Sequence, residues 1–217
     1  MISILMPIYN GIEFINDSVM SIIQQKYTNW ELLIGINGHP PNSEVFKIAQ
    51  KYAELNSNIR VYDFANIKGK SNTLNEMIKY CKYDWISLLD VDDKWLPDKL
   101  EKQVPYMENY DVIGTNCQYF GNLNNYPDIP LGDISKFDFR LQNPVINSSC
   151  LLKKSLCFWD PKHDGVEDYD LWLRLRKNDC KFYNVPEIQV LHRIHQSSAF
   201  NANDENNRKA IKLGKYK

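Results

Sequence analysis

The first half of the chain alternates between two hydrophobic periods, and that alternation limits the possible folds more than any other feature. "ISILM" reads as an apolar strand; Ile12, Ile15, Val19 and Ile22 then recur at helical spacing, and "WELLIGI" is strand-like again. The pattern continues through a helix around "SEVFKIAQKYAEL", a strand "IRVYDF", a helix from Ser71 to Cys81 and the strand "WISLL". A helix after Pro97 then carries Leu100, Val104 and Met107. Strands separated by crossover helices predict an α/β fold with a mostly parallel central sheet flanked by helices. Asn10, with Glu13 three residues later, has the composition of a capping box, so "PIYNGIE" is expected to turn from strand into helix.

Beyond the strand "DVIGT" the periodicity fades. Gly121 to Asn143 is rich in Gly, Pro, Asn and Asp, which predicts an irregular or hairpin insertion. An apolar stretch "CLLKKSLCF", a helix "EDYDLWLRLRK" and a strand "FYNVPEIQVLHRIH" follow. From Asn201 the chain is polar and Asn-rich, the segment expected to be most mobile. There is no repeat and no dividing linker, so one domain is expected over residues 1–200, with 201–217 as a polar tail.

A length of 217 residues suffices for one substantial core. With 26 basic against 27 acidic residues, the net charge of −1 provides no global field to draw nucleic acid or an anionic membrane. The five cysteines are odd in number, lack any CxxC pair and mostly sit in apolar segments, which suits reduced core thiols. The N-terminal apolar run is too short for a signal peptide, and no run approaches a membrane span. These features predict a soluble, cytoplasmic protein.

The chemistry-bearing residues concentrate at the end of one strand. In "WISLLDVDDKWLPDK", Asp90, Asp92 and Asp93 fall within four positions, and each carboxylate raises the cost of ionising the others. Alternation puts Asp90 and Asp92 on one side and Val91 on the other, so the two acids can share a divalent ion. Hard oxygen ligands suit Mg2+ or Mn2+. A solvated acidic turn capping the next helix would account for the same residues. An EF-hand is excluded, because Trp95 stands where that loop needs glycine.

Three further clusters stand out. Glu167 and Asp168 open a helix, where acids also occur simply to favour the helix dipole; Asp170 is expected to be that simpler case. In "LHRIHQSS", alternation places Arg193 and His195 on one face and His192 on the other. "NIKGKSNTLN" puts Lys68, Gly69, Lys70 and Ser71 at a helix start, a setting that attracts phosphate, without the spacing of a P-loop.

Taken in order, "MPIYN", "WELLIGING", "GKSNTLN", "LLDVDDKWLPDKLEKQ", "EDYDLWLRL" and "HRIHQSS" resemble the family 2 glycosyltransferases of the GT-A, Rossmann-like fold, from Ile2 to about Ser198. The resemblance implies a nucleotide-sugar-binding half (1–116) and an acceptor-side half (117–200). It implies an inverting, metal-dependent transferase that takes a nucleotide-sugar, expected to be a UDP-sugar, and a glycan, glycoprotein or glycolipid acceptor. By the same matching, Asp92 and His195 would approach Mn2+ or Mg2+. Pro7, Tyr9, Asn10, Asn37, Lys70, Asn75, Asp90, Val91, Asp93 and Arg193 would border the nucleotide-sugar. Asp168 would be the general base, supported by Glu167.

One position departs from the family. An acidic pair is usual where this chain has Ile36 and Asn37, and an amide offers both an acceptor and donors to a base in place of a charge. Two other readings stay open at this stage. One is a non-catalytic nucleotide-sugar-binding module on the same fold; the other is a phosphohydrolase using Asp90 as nucleophile, although Lys94 stands where that class usually has Thr or Val.

Overall fold

Strand β1 (Ile2–Ile8) is the centre of the molecule: Ile2, Ile4, Met6 and Ile8 pack to one side of it and Leu5 to the other, all fully buried. The computed structural model describes residues 1–195 together with Lys212 and Leu213. The polar tail expected from residue 201 therefore lies outside the described residues, except for those two.

Around β1 are β2 (Trp30–Asn37), β3 (Ile59–Phe64) and β4 (Trp85–Leu88), all in parallel register in the order β3-β2-β1-β4. Every residue of β2 is buried, as expected of a strand covered on both faces. Helices α1 (Ile15–Ile23), α2 (Glu44–Leu55) and α4 (Lys99–Gln103) cover one face. Helices α3 (Lys70–Met77) and α5 (Glu167–Lys177) cover the other. The result is a three-layer α/β domain.

The rest of the sheet is mixed. β8 (Leu151–Lys153) runs antiparallel to both β4 and β6 (Val112–Gly121), whereas β6 and β9 (Phe182–Ile194) are parallel. β5 (Lys94–Trp95) and the two-residue β7 (Gly132–Asp133) each pair antiparallel with β9. The parallel expectation thus holds for the first four strands, and the curled second half departs from it. The β6–β9 register slips on both sides of Asn116, which pairs with Ile188; the ladder skips Pro186, which has no N–H to give it.

The expected helix cap at Asn10 is not formed. Gly11, at φ 86°, starts a single 3-10 turn over Ile12–Phe14 with no side-chain cap, and α1 follows. A left-handed residue is needed there, and only glycine adopts it without strain. The Gly121–Asn143 segment is irregular, as expected, apart from β7. All five cysteines are free thiols. Among the described residues no helix is long and apolar enough to cross a membrane.

Candidate active site

The order of parallel strands reverses between β1 and β4, and a crevice opens beyond their carboxyl ends. It is a cavity of about 730 Å3, the size of a small-molecule site. Pro7, Tyr9, Asn10 and Gly11 leave β1 along one wall, and Asn37 and Gly38 come from the end of β2. Lys68, Gly69 and Lys70 enter from the start of α3. Asp90, Val91, Asp92, His192 and His195 close the other side.

Tyr9 is 57% exposed and presents an aromatic ring at the cavity. Gly38, at φ 72°, lets that ring lie close: a Cβ there would come within 2.9 Å of Tyr9 Cε2. His39 packs beside the ring, its centroid 5.5 Å away, and its imidazole contacts the Tyr9 carbonyl oxygen. Asn37 is buried at the cavity wall.

The three acids after β4 are held differently. Asp90 accepts from Lys70 Nζ at 2.7 Å and from Asn147 Nδ2 at 3.0 and 3.2 Å. Burial works against its charge, but Lys70 and Asn147 outweigh burial and hold its pKa below the usual carboxylate value. Asp93 is fully buried: it accepts from the Ser148 hydroxyl and the Arg193 backbone N–H, and pairs with His192 Nδ1 at 2.9 Å. It pins the turn from below.

Asp92 faces the cavity, with Oδ2 2.9 Å from His195 Nε2. Burial first, then the charges of Asp93 and Asp90, push its pKa up. A cation would relieve that repulsion. Among the described residues no group of three or more side chains forms a metal cage. One carboxylate and one imidazole nevertheless fit Mg2+ or Mn2+, which take few protein ligands and fill the rest with phosphate oxygens and water.

α5 brings its first turn up to α3. Lys70 Nζ lies 3.3 Å from Glu167 Oε1, so one ammonium joins Asp90 to Glu167. Burial opposes that charge, and the surrounding carboxylates of Asp90, Glu167 and Asp168 overcome it and raise the Lys70 pKa. Glu167 also accepts from the Gly165 N–H at 2.7 Å. Asp168 accepts from Asn143 Nδ2 at 2.9 Å; burial and the neighbouring Glu167 push its pKa up to about 6. Such a carboxylate is ionised at neutral pH and basic enough to accept a proton.

Not every residue singled out in the sequence borders the cavity. Asn75 is fully engaged with the Trp159 backbone, donating to its oxygen at 2.6 Å and accepting from its N–H at 3.0 Å. The Arg193 guanidinium is stacked between Phe14 and Phe120, 4.4 Å from each ring centroid; its Nε donates to the Asp92 carbonyl and its Nη2 to Asp17. Arg193 therefore braces the acidic turn from outside. Glu167 and Asp168 stand beyond the cavity wall, reached through Lys70.

Two expectations need correction. Asp170 is not a plain first-turn acid: it is completely buried and pairs with Arg174 at 2.8 Å. His192 and His195 both line the cavity, because β9 ends at Ile194 and strand alternation no longer applies to His195.

Sequence reading missed the residues that hold these acids. Asn143, Asn147 and Ser148 lie in "NPVINSSC", which has no period, and Asp164 accepts from the Ser71 N–H at 2.9 Å, at the helix start where phosphate was expected. Polar residues interrupting an apolar segment were the only signal.

Comparison with known proteins agrees with this architecture. The family model described as Glycosyl transferase family 2 matches residues 3–154. The chain is 30% identical to the O-antigen biosynthesis glycosyltransferase WbnJ of Escherichia coli over 91% of its own length and 81% of WbnJ. It is 29% identical to the E. coli UDP-Glc:alpha-D-GlcNAc-diphosphoundecaprenol beta-1,3-glucosyltransferase WfgD, over 91% of this chain and 79% of that one. Among solved structures, S. aureus TarS 1–349 in complex with UDP-GlcNAc superposes with a TM-score of 0.74 at 13% identity, covering 98% of this chain and 65% of that 1–349 chain. The mannosyltransferase PcManGT from Pyrobaculum calidifontis, in complex with GDP-Man and Mn2+, gives 0.71 at 12% identity, covering 91% and 58%. These two share the GT-A fold. With the family match spanning most of its length, and a crevice of the kind that fold places beyond its strands, this chain belongs to glycosyl transferase family 2 and is a glycosyltransferase.

Proposed function

We propose that the enzyme binds a UDP-sugar in the cavity between β1 and β4 and transfers the sugar, with inversion, to an acceptor hydroxyl deprotonated by Asp168. The observation that carries this reading is the sorting of the acids. Asp90 and Asp92 face the cavity, whereas Asp168, with its raised pKa, stands on the far side of Lys70.

Tyr9 offers a stacking face for the base, and Asn37 an amide that can accept from a uracil ring N–H. Asp92 and His195 would hold Mn2+ or Mg2+. When bound there, the cation supplies positive charge toward the leaving diphosphate. Lys70 keeps Asp90 ionised and holds Glu167 beside Asp168. Asp168 takes the acceptor's proton as its oxygen attacks the anomeric carbon.

Named relatives support the substrate classes. TarS has been captured with UDP-GlcNAc, PcManGT with GDP-Man and Mn2+, and WfgD is named for a UDP-Glc donor and a diphosphoundecaprenol-linked sugar acceptor. A glycolipid acceptor is thus the first class to try. Asp90 suits a phosphohydrolase nucleophile less well, because Lys70 and Asn147 already engage its oxygens.

The test is a screen of UDP- and GDP-sugars with Mn2+, scored for nucleoside diphosphate release with and without lipid-linked sugar acceptors. Release that depends on donor and metal is expected from the wild type, and a loss of about 100-fold or more from Asp168→Asn. Full activity in Asp168→Asn would remove the general base from the mechanism.

A further inference from the structure

A short segment, Asn143–Ser149, reaches acids on both sides of Lys70. Asn143 donates to Asp168, Asn147 to Asp90 and Ser148 to Asp93. Its backbone is fixed independently of those acids. The Pro144 carbonyl accepts from Asn184 Nδ2 at 2.8 Å, and the Val145 carbonyl accepts from Trp172 Nε1 at 3.1 Å, both donors being buried. Pro144 also restricts the residue before it to extended conformations. Asn143 therefore presents its side chain from a rigid mount.

The chemistry of the contact is one-directional. An ionised carboxylate only accepts, so it is the amide nitrogen of Asn143 that faces Asp168 Oδ2, at 2.9 Å. Asn143 Oδ1 meets the Val145 N–H at 3.4 Å, a long local turn contact that accounts for the oxygen and not for the nitrogen.

We infer that Asn143 is the positioning residue of Asp168: its amide holds Oδ2 and makes Oδ1 the oxygen that takes the acceptor's proton. This rests on the general-base role proposed above. As the acceptor O–H breaks, its proton goes to Oδ1 and its electron pair forms the new bond to the anomeric carbon. The bond from that carbon to the diphosphate oxygen breaks, and the diphosphate leaves with that pair.

A neutral donor suits the task. Glu167 on α5 faces Asp168 and favours its protonated form; Lys70 on α3, itself paired with Asp90, favours the anion, and the Cys150 thiol lies on the β8 side. A second cation in place of Asn143 would depress the base further, whereas an amide orients it and leaves it basic.

The test reads Asp168 directly, by carboxyl carbon NMR titration of the wild type, Asn143→Ala and Asn143→Asp. The Asp variant keeps an oxygen for the Val145 N–H but loses the donor and adds a like charge. The Asp168 midpoint is expected to rise by about half a unit to one unit in Asn143→Ala and further in Asn143→Asp. Affinity for UDP with Mn2+ should stay within about twofold, since the Asn143 contact lies on the acceptor side. Identical midpoints in the wild type and Asn143→Ala would overturn the inference; if Asn143→Ala does not fold, Asn143→Leu, close in volume and with neither donor nor charge, takes its place. The two failures are distinct: unmoved midpoints remove Asn143 whatever the activity, and transfer retained by Asp168→Asn removes the base whatever the midpoints.

Discussion

Lys70, in the first turn of α3, reaches Glu167, in the first turn of α5, with Nζ 3.3 Å from Oε1. The same ammonium lies 2.7 Å from Asp90 Oδ1, so the helix that borders the cavity and the helix that carries the proposed base share one cation. Neither half of the site is electrostatically complete alone.

Lys70→Met should therefore damage both halves. It leaves Asp90 and Glu167 without their cation, and a loss of about 1–3 kcal/mol in urea unfolding is expected. The Asp90 pKa is lowered in the folded state, so the stability that Lys70 lends through Asp90 is present above the unfolded value of 3.8 and fades as pH falls through the lower folded value. Wild type and variant should therefore converge in strongly acidic solution; a difference independent of pH would argue against the ion pair.

Metal removal should separate the Asp92–His195 pair from the rest of the cavity. Calorimetry of UDP binding is expected to show an affinity with Mn2+ at least about tenfold above that in EDTA, with the gain lost in Asp92→Asn and in His195→Ala. Equal affinity with and without metal would refute the assignment of these two residues.

Lys99 makes a different kind of prediction. It is fully buried, its Nζ 2.8 Å from Gln103 Oε1, 3.1 Å from Ser87 Oγ and 3.8 Å from the centre of the Trp95 ring. Burial pulls its pKa down from 10.5 to about 7. Between those values the unfolded chain holds a proton that the folded protein lacks, so stability rises with pH, by at most about 1.4 kcal/mol per unit. Urea midpoints of the wild type, compared with Lys99→Met, should climb from pH 7 to 10 and flatten below 7. Parallel curves would mean that the amine stays charged.

Gly69 is predicted to be intolerant for two separable reasons. Its φ is 85°, and a Cβ would overlap Asp164 Oδ2, the carboxylate that accepts from the Ser71 N–H. Gly69→Ala should cost about 1–3 kcal/mol. Adding Asp164→Ala should recover the part due to overlap and leave the part due to backbone strain, which a double-mutant cycle in urea measures.

Much of this was legible from local pattern. The strand and helix periods marked β1 to β4 and α1 to α3 because burial on both faces of a parallel sheet demands continuous apolar runs. The Asp90–Asp93 turn and the Glu167–Asp168 helix start were visible because charge at the end of an apolar element is costly and stands out. Asn10 was misread as a cap because Gly11, next to it, took the left-handed position that moved the helix start. Asp170 looked like a helix-dipole acid because its i,i+4 spacing to Arg174 allows a pair but does not reveal that Asp170 itself would be completely buried.

The sequence by itself determined the α/β class and which titratable side chains cluster in short stretches, since both follow from residue type and short-range spacing; its motifs also carried the resemblance to the family that the comparisons show. Only the tertiary structure decided how those charges are shared. Lys70 meets Glu167 across 97 positions of chain, and Asn143 meets Asp168 across 25, because α3, α5 and the 143–149 segment pack around the same sheet end. Such pairings depend on where separate elements come to lie, and no periodicity within any one of them encodes that.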